Sequence, residues 1–259
     1  MLQDWNSPFR HPHLVFALSL FVMLLSTQIG IYFRKRRLNL EEDARQDLEI
    51  IVGATLTLLG LIVGFSFSMA ISRYDQRKNY EEAEANAIGT EYVRADLLPA
   101  ADANRVRALL KDYLEQRVLF YETRDEHLLQ QINTSTSQLQ TELWSAVKAP
   151  SATQSTPVMA LVVSGMNDVL NSQGYTQAAW WNRIPVGAWG LMLSIAICSN
   201  LLVAYGARGV KAGVIRVLVL PFVLAIAFFF IADIDSPRRG VIHVLPQNLI
   251  NVAQSMSGR

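Results

Sequence analysis

The stretch IIVGATLTLLGLIVGFSFSMAIS, Ile50 to Ser72, holds no formal charge and no proline. About 20 apolar residues in a helix cover the roughly 30 Å of hydrocarbon in a bilayer. In lipid a lone segment must satisfy its own backbone hydrogen bonds, so it crosses as a helix. A buried helix of this length in a soluble protein carries a polar stripe, and none is present here. The stretch therefore reads as a transmembrane span.

Three more windows of the same kind flank it. Leu14 to Phe33 has Gln28 as its most polar member. Pro185 to Ala207 holds Cys198 and Asn200, and Val214 to Ala232 has Arg216 near one end and Pro221 inside. The first window is too long for a signal-peptide core. Arg34-Lys35-Arg36-Arg37 follows it where a small-residue cleavage site would stand, so it reads as a retained span. The expected fold is all-α, an integral membrane protein with four transmembrane helices and an extramembrane helical bundle between spans 2 and 3. Residues 1–72 carry an N-terminal tail and spans 1 and 2, 73–184 the helical domain, 185–235 spans 3 and 4, and 236–259 a C-terminal tail.

The composition agrees with a chain partly in lipid. Of 259 residues 51% are hydrophobic, mean hydropathy is +0.21, and the net charge of +1 gives no reason to expect nucleic acid as a partner. Cys198 is the only cysteine and His11, His13, His127 and His243 are scattered, which leaves no thiolate metal site and no internal disulfide.

Between the spans, nothing breaks Ile71 to Ile88, so the second span is expected to continue out of the membrane as one helix ending near Pro99. A second helix covers about 101–123, where Val106, Leu109, Leu110, Tyr113, Leu114, Val118 and Tyr121 make one apolar stripe, with Asp102 in its first turn. A third covers about 125–148, with the polar patch Asn133 to Ser137 in its middle. Residues 149–157 are rich in Ser, Thr and Pro and read as a loop. A fourth runs from Val158 to about Ser172, with Gly174 as a break. Trp180, Trp181 and Trp189 near the third span read as interfacial aromatics.

Sidedness follows Lys and Arg in short loops. Arg34 to Arg37 with Arg45, and Arg208 with Lys211, put the first and third loops in the cytoplasm and the helical domain outside it. The expected location is a plasma membrane, crossed four times.

No catalytic motif is present: no phosphate loop, no Gly-x-Ser-x-Gly, no His-Glu-x-x-His. The chain does not read as an enzyme, and no cofactor or metal site is expected. Three features carry more than packing. Gly60 and Gly64, four apart and followed by Phe65, Ser66, Phe67 and Ser68, let helix backbones approach closely. The same residues suit a pore-lining helix with hydroxyl donors and an apolar constriction. Arg73, Asp75 and Arg77 stand where the span leaves the bilayer. Around an oligomer axis such cations would concentrate anions at a pore mouth; on a monomer they are a solvated helix surface. Asn86, between alanines, reads as a buried polar contact. Asp233 and Asp235 close the last span, where carboxylates are costly unless paired, and Arg238 and Arg239 follow as boundary ion-pair partners, with Arg73 and Arg77 also in reach of that role. Val241, Ile242 and Val244 suggest a short extended piece.

The order of two spans, helical domain and two spans, with Asp235-x-Pro237-x-x-Gly240-x-Ile242-x-Val244-x-Pro246 and Glu84-Ala85-Asn86-Ala87-Ile88, resembles the bacterial bestrophin-like membrane protein family, whose function is unassigned. Gly64, Phe65, Tyr74, Asp75 and Arg77 are similar to the pattern by which the second helix of bestrophins leaves the membrane. The gap here is about one turn longer, the paired tryptophans are absent and no acidic calcium clasp is found. Bestrophins are pentameric anion channels, so the resemblance implies a homo-oligomer in a lipid bilayer with small anions as permeant species. It also implies a cytoplasmic helical domain, opposite to the charge count. Two functions follow: an oligomeric anion-preferring channel lined by the second span, or a non-conducting scaffold or sensor whose helical domain binds a partner or envelope component.

Overall fold

The structure, a computed structural model, describes residues 11–36, 42–153, 156–207 and 212–258. Arg37, Arg208 and Lys211 lie outside the described residues. Eight α-helices are described: α1 Pro12–Arg36, α2 Glu42–Arg94, α3 Ala100–Glu122, α4 Glu126–Thr153, α5 Pro157–Trp181, α6 Val186–Gly206, α7 Ala212–Asp235 and α8 Gln247–Ser257, with a 3-10 turn over Ala95–Leu97. No strand occurs among the described residues. Four helical stretches are long and apolar enough to cross a membrane; they contain the first two windows read from the sequence and overlap most of the third and fourth. The protein is an all-helical membrane protein.

The chain divides into two compact units. Residues 1–72 with 183–242 form the first, and 73–182 with 243–259 the second. In the first, α1 packs along α6 and α7. Small residues make that closeness possible. A Cβ on Gly30 would lie 2.5 Å from the Leu201 carbonyl oxygen and 2.8 Å from the Ala204 Cβ. One turn earlier the Ser26 hydroxyl donates to the Ile197 carbonyl at 2.7 Å. Phe16 meets Phe222 and Phe229 edge-on, with both centroid distances 6.3 Å.

In the second unit, α3 packs on α4 and α8, and α4 on α5. The predicted stripe on α3 is the core-facing one: Val106, Leu110, Tyr113, Leu114 and Tyr121 are buried, with Leu109 and Val118 partly buried. Two helix ends differ from the sequence reading. Helix α4 passes through Asn133–Ser137 and Pro150 to Thr153, and α5 passes Gly174 to Trp181. On α5, Val169, Ser172, Thr176, Ala179 and Trp180 are buried on both sides of the glycine, and that burial outweighs the roughly 1 kcal/mol glycine cost. Residues 241–246 form bends and irregular chain, not an extended strand.

Two tryptophans read as interfacial are core residues. Trp180 packs against Phe120 and Tyr121, with ring centroids 5.0 and 5.4 Å away, and Trp189 is buried against Phe228. Trp181 is exposed. Asn86, expected to be buried, is exposed.

Candidate functional site

Helix α2 runs unbroken for 53 residues, from its apolar half into the polar domain. Only 11% of its most apolar window is buried within the chain. At 3.6 residues per turn, Gly53, Gly60 and Gly64 fall within about 40° of one another on one face. Among the described residues, nothing beyond the helix's own backbone and the adjacent residues lies within 4 Å of a Cβ built on any of the three. Thr57, on the same side, turns its hydroxyl back to the Gly53 carbonyl at 2.9 Å, leaving that face apolar. Phe65, Phe67 and Ser68 are exposed; Ser66 is buried. Ser66 therefore lies on the packed side, away from the open glycine face.

Beyond the apolar half the polar residues separate the same way. Asp75 is exposed and Arg73 half-buried. Arg77 is only 1% exposed, which removes it from the solvated surface where the sequence reading put it. Lys78 and Glu82, both exposed, share one face of α2 with Asp75.

Arg77 belongs to a row of buried charges on α2 with Glu81, Glu84 and Glu91. Burying an ion is costly unless it is paired and hydrogen-bonded. Glu84 meets that condition. Arg117 of α3 donates Nε to its Oε1 at 2.5 Å, Tyr121 donates its hydroxyl at 3.4 Å, and Thr176 of α5 donates at 3.1 Å. Burial works against the Arg117 charge, but the Glu84 carboxylate with Tyr113 and Tyr121 outweighs it and raises the pKa. Burial, then the Glu84 charge, pushes the Tyr113 and Tyr121 phenols well above their ordinary range. Glu81 holds the N-terminus of α8: it accepts from the backbone N–H of Asn248 at 2.9 Å and of Leu249 at 3.0 Å, and from Asn248 Nδ2 at 2.6 Å. A carboxylate there meets orphan N–H groups and the positive end of the helix dipole.

The end of α7 is knitted by its two carboxylates. Asp233 accepts from the backbone N–H of Val241 at 2.7 Å and of Ile242 at 2.9 Å. Asp235 accepts from the N–H of Ile184, 3.2 Å from each oxygen. A Cβ on Gly240 would run into the Asp233 and Ser236 carbonyl oxygens, so the turn is built for glycine. The guanidinium of Arg239 contacts the His11 ring. The Asp-x-Pro-x-x-Gly stretch is thus a folded corner whose carboxylates receive backbone donors. Among the described residues no group of three or more His, Cys, Asp or Glu could hold a metal ion.

The buried Glu84–Arg117 pair was not singled out by sequence reasoning. Its signal is Arg117 itself, which falls on the apolar stripe of α3 four residues after Tyr113 and four before Tyr121.

A bestrophin-like domain matches residues 15–249. The chain belongs to the bestrophin-like family. Solved structures agree with this family's fold. A bacterial bestrophin homolog from Klebsiella pneumoniae carrying one substitution superposes at TM-score 0.66 and 14% identity, over 93% of this bestrophin-like chain and 98% of that one. Another structure of a Klebsiella pneumoniae bestrophin homolog gives TM-score 0.66 and 11% identity, over 95% and 98%. A crystal structure described as a membrane protein gives 0.65 and 12%, over 96% and 99%. At these identities the likeness concerns the fold. No curated protein matches.

Proposed function

We propose that this bestrophin-like protein assembles, as a pentamer, into an ion channel in the bacterial inner membrane, lined by the second span and preferring small anions. The observation that carries it is the open face of α2, with Gly53, Gly60 and Gly64 in line and nothing against them. In lipid the hydrophobic effect no longer drives helices together, and small residues serve close packing against another helix or a narrow lumen. Gly60, Gly64, Phe67 and Ser68 would line the lumen, with Phe67 as the apolar constriction. Ser66, being buried, is a packing hydroxyl in this arrangement. At the mouth, Lys78 replaces Arg77 as the cation on the lumen face, while Asp75 and Glu82 oppose it. Anion preference therefore rests on the family resemblance, because on that face Lys78 stands against two carboxylates and Arg73 lies about 140° around the helix from it. The cations Arg34, Lys35 and Arg36 in the last turn of α1 favour the cytoplasmic side, which puts the helical domain outside the cytoplasm.

The test is flux from liposomes containing purified protein under a chloride gradient. Chloride release that Phe67→Trp reduces by tenfold or so supports the channel; sealed vesicles around a correctly folded oligomer refute it. The scaffold or sensor reading has one observation in its favour, the scarcity of free polar groups on the glycine face. It expects sealed vesicles and a co-purifying partner. An impermeant thiol reagent on whole cells carrying Cys198→Ser and Glu82→Cys reads the sidedness: labelling supports the charge argument, and protection until lysis overturns it.

A further inference from the structure

Glu91 lies on the buried side of α2, nineteen residues beyond Ser72 and so outside the apolar span. The residue is fully buried, and neither carboxyl oxygen has a hydrogen-bond partner among the described residues. Its neighbours Glu81 and Glu84 each take three or more donors, so its isolation is particular to this position. It sits on Gly165 of α5. A Cβ there would run into the Glu91 carboxyl and the Arg94 guanidinium, so glycine leaves room for the acid to seat against the helix backbone. Arg94 also reaches the Leu161 carbonyl, one turn before Gly165, at 3.4 Å.

We propose that Glu91 and Gly165 form a proton-operated clasp: the neutral carboxyl seats on the glycine and holds α5 against α2, and loss of its proton loosens that seat. A buried carboxylate without donors is far costlier than a buried neutral acid. The charged groups around it are few. Arg94 favours the ionised form and Asp168 of α5 disfavours it, but burial is the largest influence and pushes the carboxyl up to about 8. Asp96 in the 3-10 turn pairs with Arg107 of α3. Arg107 and Lys111 lie over the Tyr92 ring at 5.6 and 5.7 Å, and α8 carries no charge. The sign follows from linkage. The folded group binds its proton more tightly than the unfolded one, so its contribution is full below the ordinary carboxyl value of 4.5. That contribution falls as pH rises and is gone above about 8. The clasp does not depend on the protein conducting ions.

Hydrogen exchange of full-length protein in detergent tests it, at pH 6 and pH 9 after correction for the intrinsic exchange rate. In the wild type, protection over residues 157–172 should fall on the order of tenfold or more between the two, with the decline complete above about 8, while residues 126–150 hold. Glu91→Gln should remove the pH step. If that variant does not fold, Glu91→Met supplies a neutral side chain of similar length and must show the same flat response. Unchanged protection in the wild type overturns the clasp. So does a loss shared equally by 126–150, or the same step in either neutral variant.

Discussion

Glu84 and Arg117 are each fully buried, and their charges are separated by one hydrogen bond of 2.5 Å. In such a pair the desolvation cost of both ions offsets much of their attraction, so the intact pair contributes little net stability. Removing one partner is different, because it strands the other in a low-dielectric site. Arg117→Met alone should lower stability by about 3–5 kcal/mol. Glu84→Gln with Arg117→Met should recover a good part of that, since no bare charge remains. Thermal melts of the detergent-solubilised protein read both. If the double variant is no more stable than Arg117→Met, the coupling claimed here is absent. Glu81 works at the same scale on a smaller object. Glu81→Ala leaves three donors at the start of α8 unmet, one of them, Leu249, buried. The expected loss is about 1–3 kcal/mol, local to the C-terminus. It should show as faster proteolysis of residues 247–258 at unchanged cleavage elsewhere.

Glycine separates the helices by role. Gly30 of α1 touches α6 backbone, whereas Gly64 of α2 touches no other helix among the described residues. The same change should therefore have opposite consequences. Gly30→Val forces α1 off α6 and should cost about 1–3 kcal/mol of fold stability by overpacking. Gly64→Val should leave the melting of the single chain nearly unchanged and alter assembly or flux instead. Equal destabilisation by both would mean that the α2 face is packed against its own chain. The sequence made most of the elements legible through length and periodicity. Each apolar run announced a span, and the stripe from Val106 to Tyr121 announced the buried side of α3. It could not show which faces of α2 are covered, because a uniformly apolar helix has no internal contrast to read. The same blindness hid Ser66, which differs from Ser68 only in direction. Arg77 was misplaced for a related reason: an arginine just past a span normally snorkels to solvent, and only tertiary pairing can bury it. Trp180 and Trp189 were misplaced because amphipathic rings suit a membrane interface and a core equally well.

For the whole molecule the question is what covers α2. Exposure alone is no argument for a partner, because lipid solvates an apolar helix as well as another helix does. The glycines supply the argument. Each costs roughly 0.5–1 kcal/mol in a helix relative to alanine, with no return if the face meets only lipid tails. Three on one face, with alanine-sized space beside each, are explained by a closely approaching backbone or a narrow lumen. A second copy of the chain would supply either. Gly60→Cys in a Cys198→Ser background puts one thiol on that face. Under mild oxidation in native membranes, a ring or helix pair brings equivalent thiols close enough to join copies. A covalent dimer is the expected product. Glu82→Cys in the same background tests whether the contact follows α2 out of the membrane. Monomer alone in both, with the thiols still reactive towards a small reagent, would leave α2 facing lipid and remove the physical basis for a pore along it.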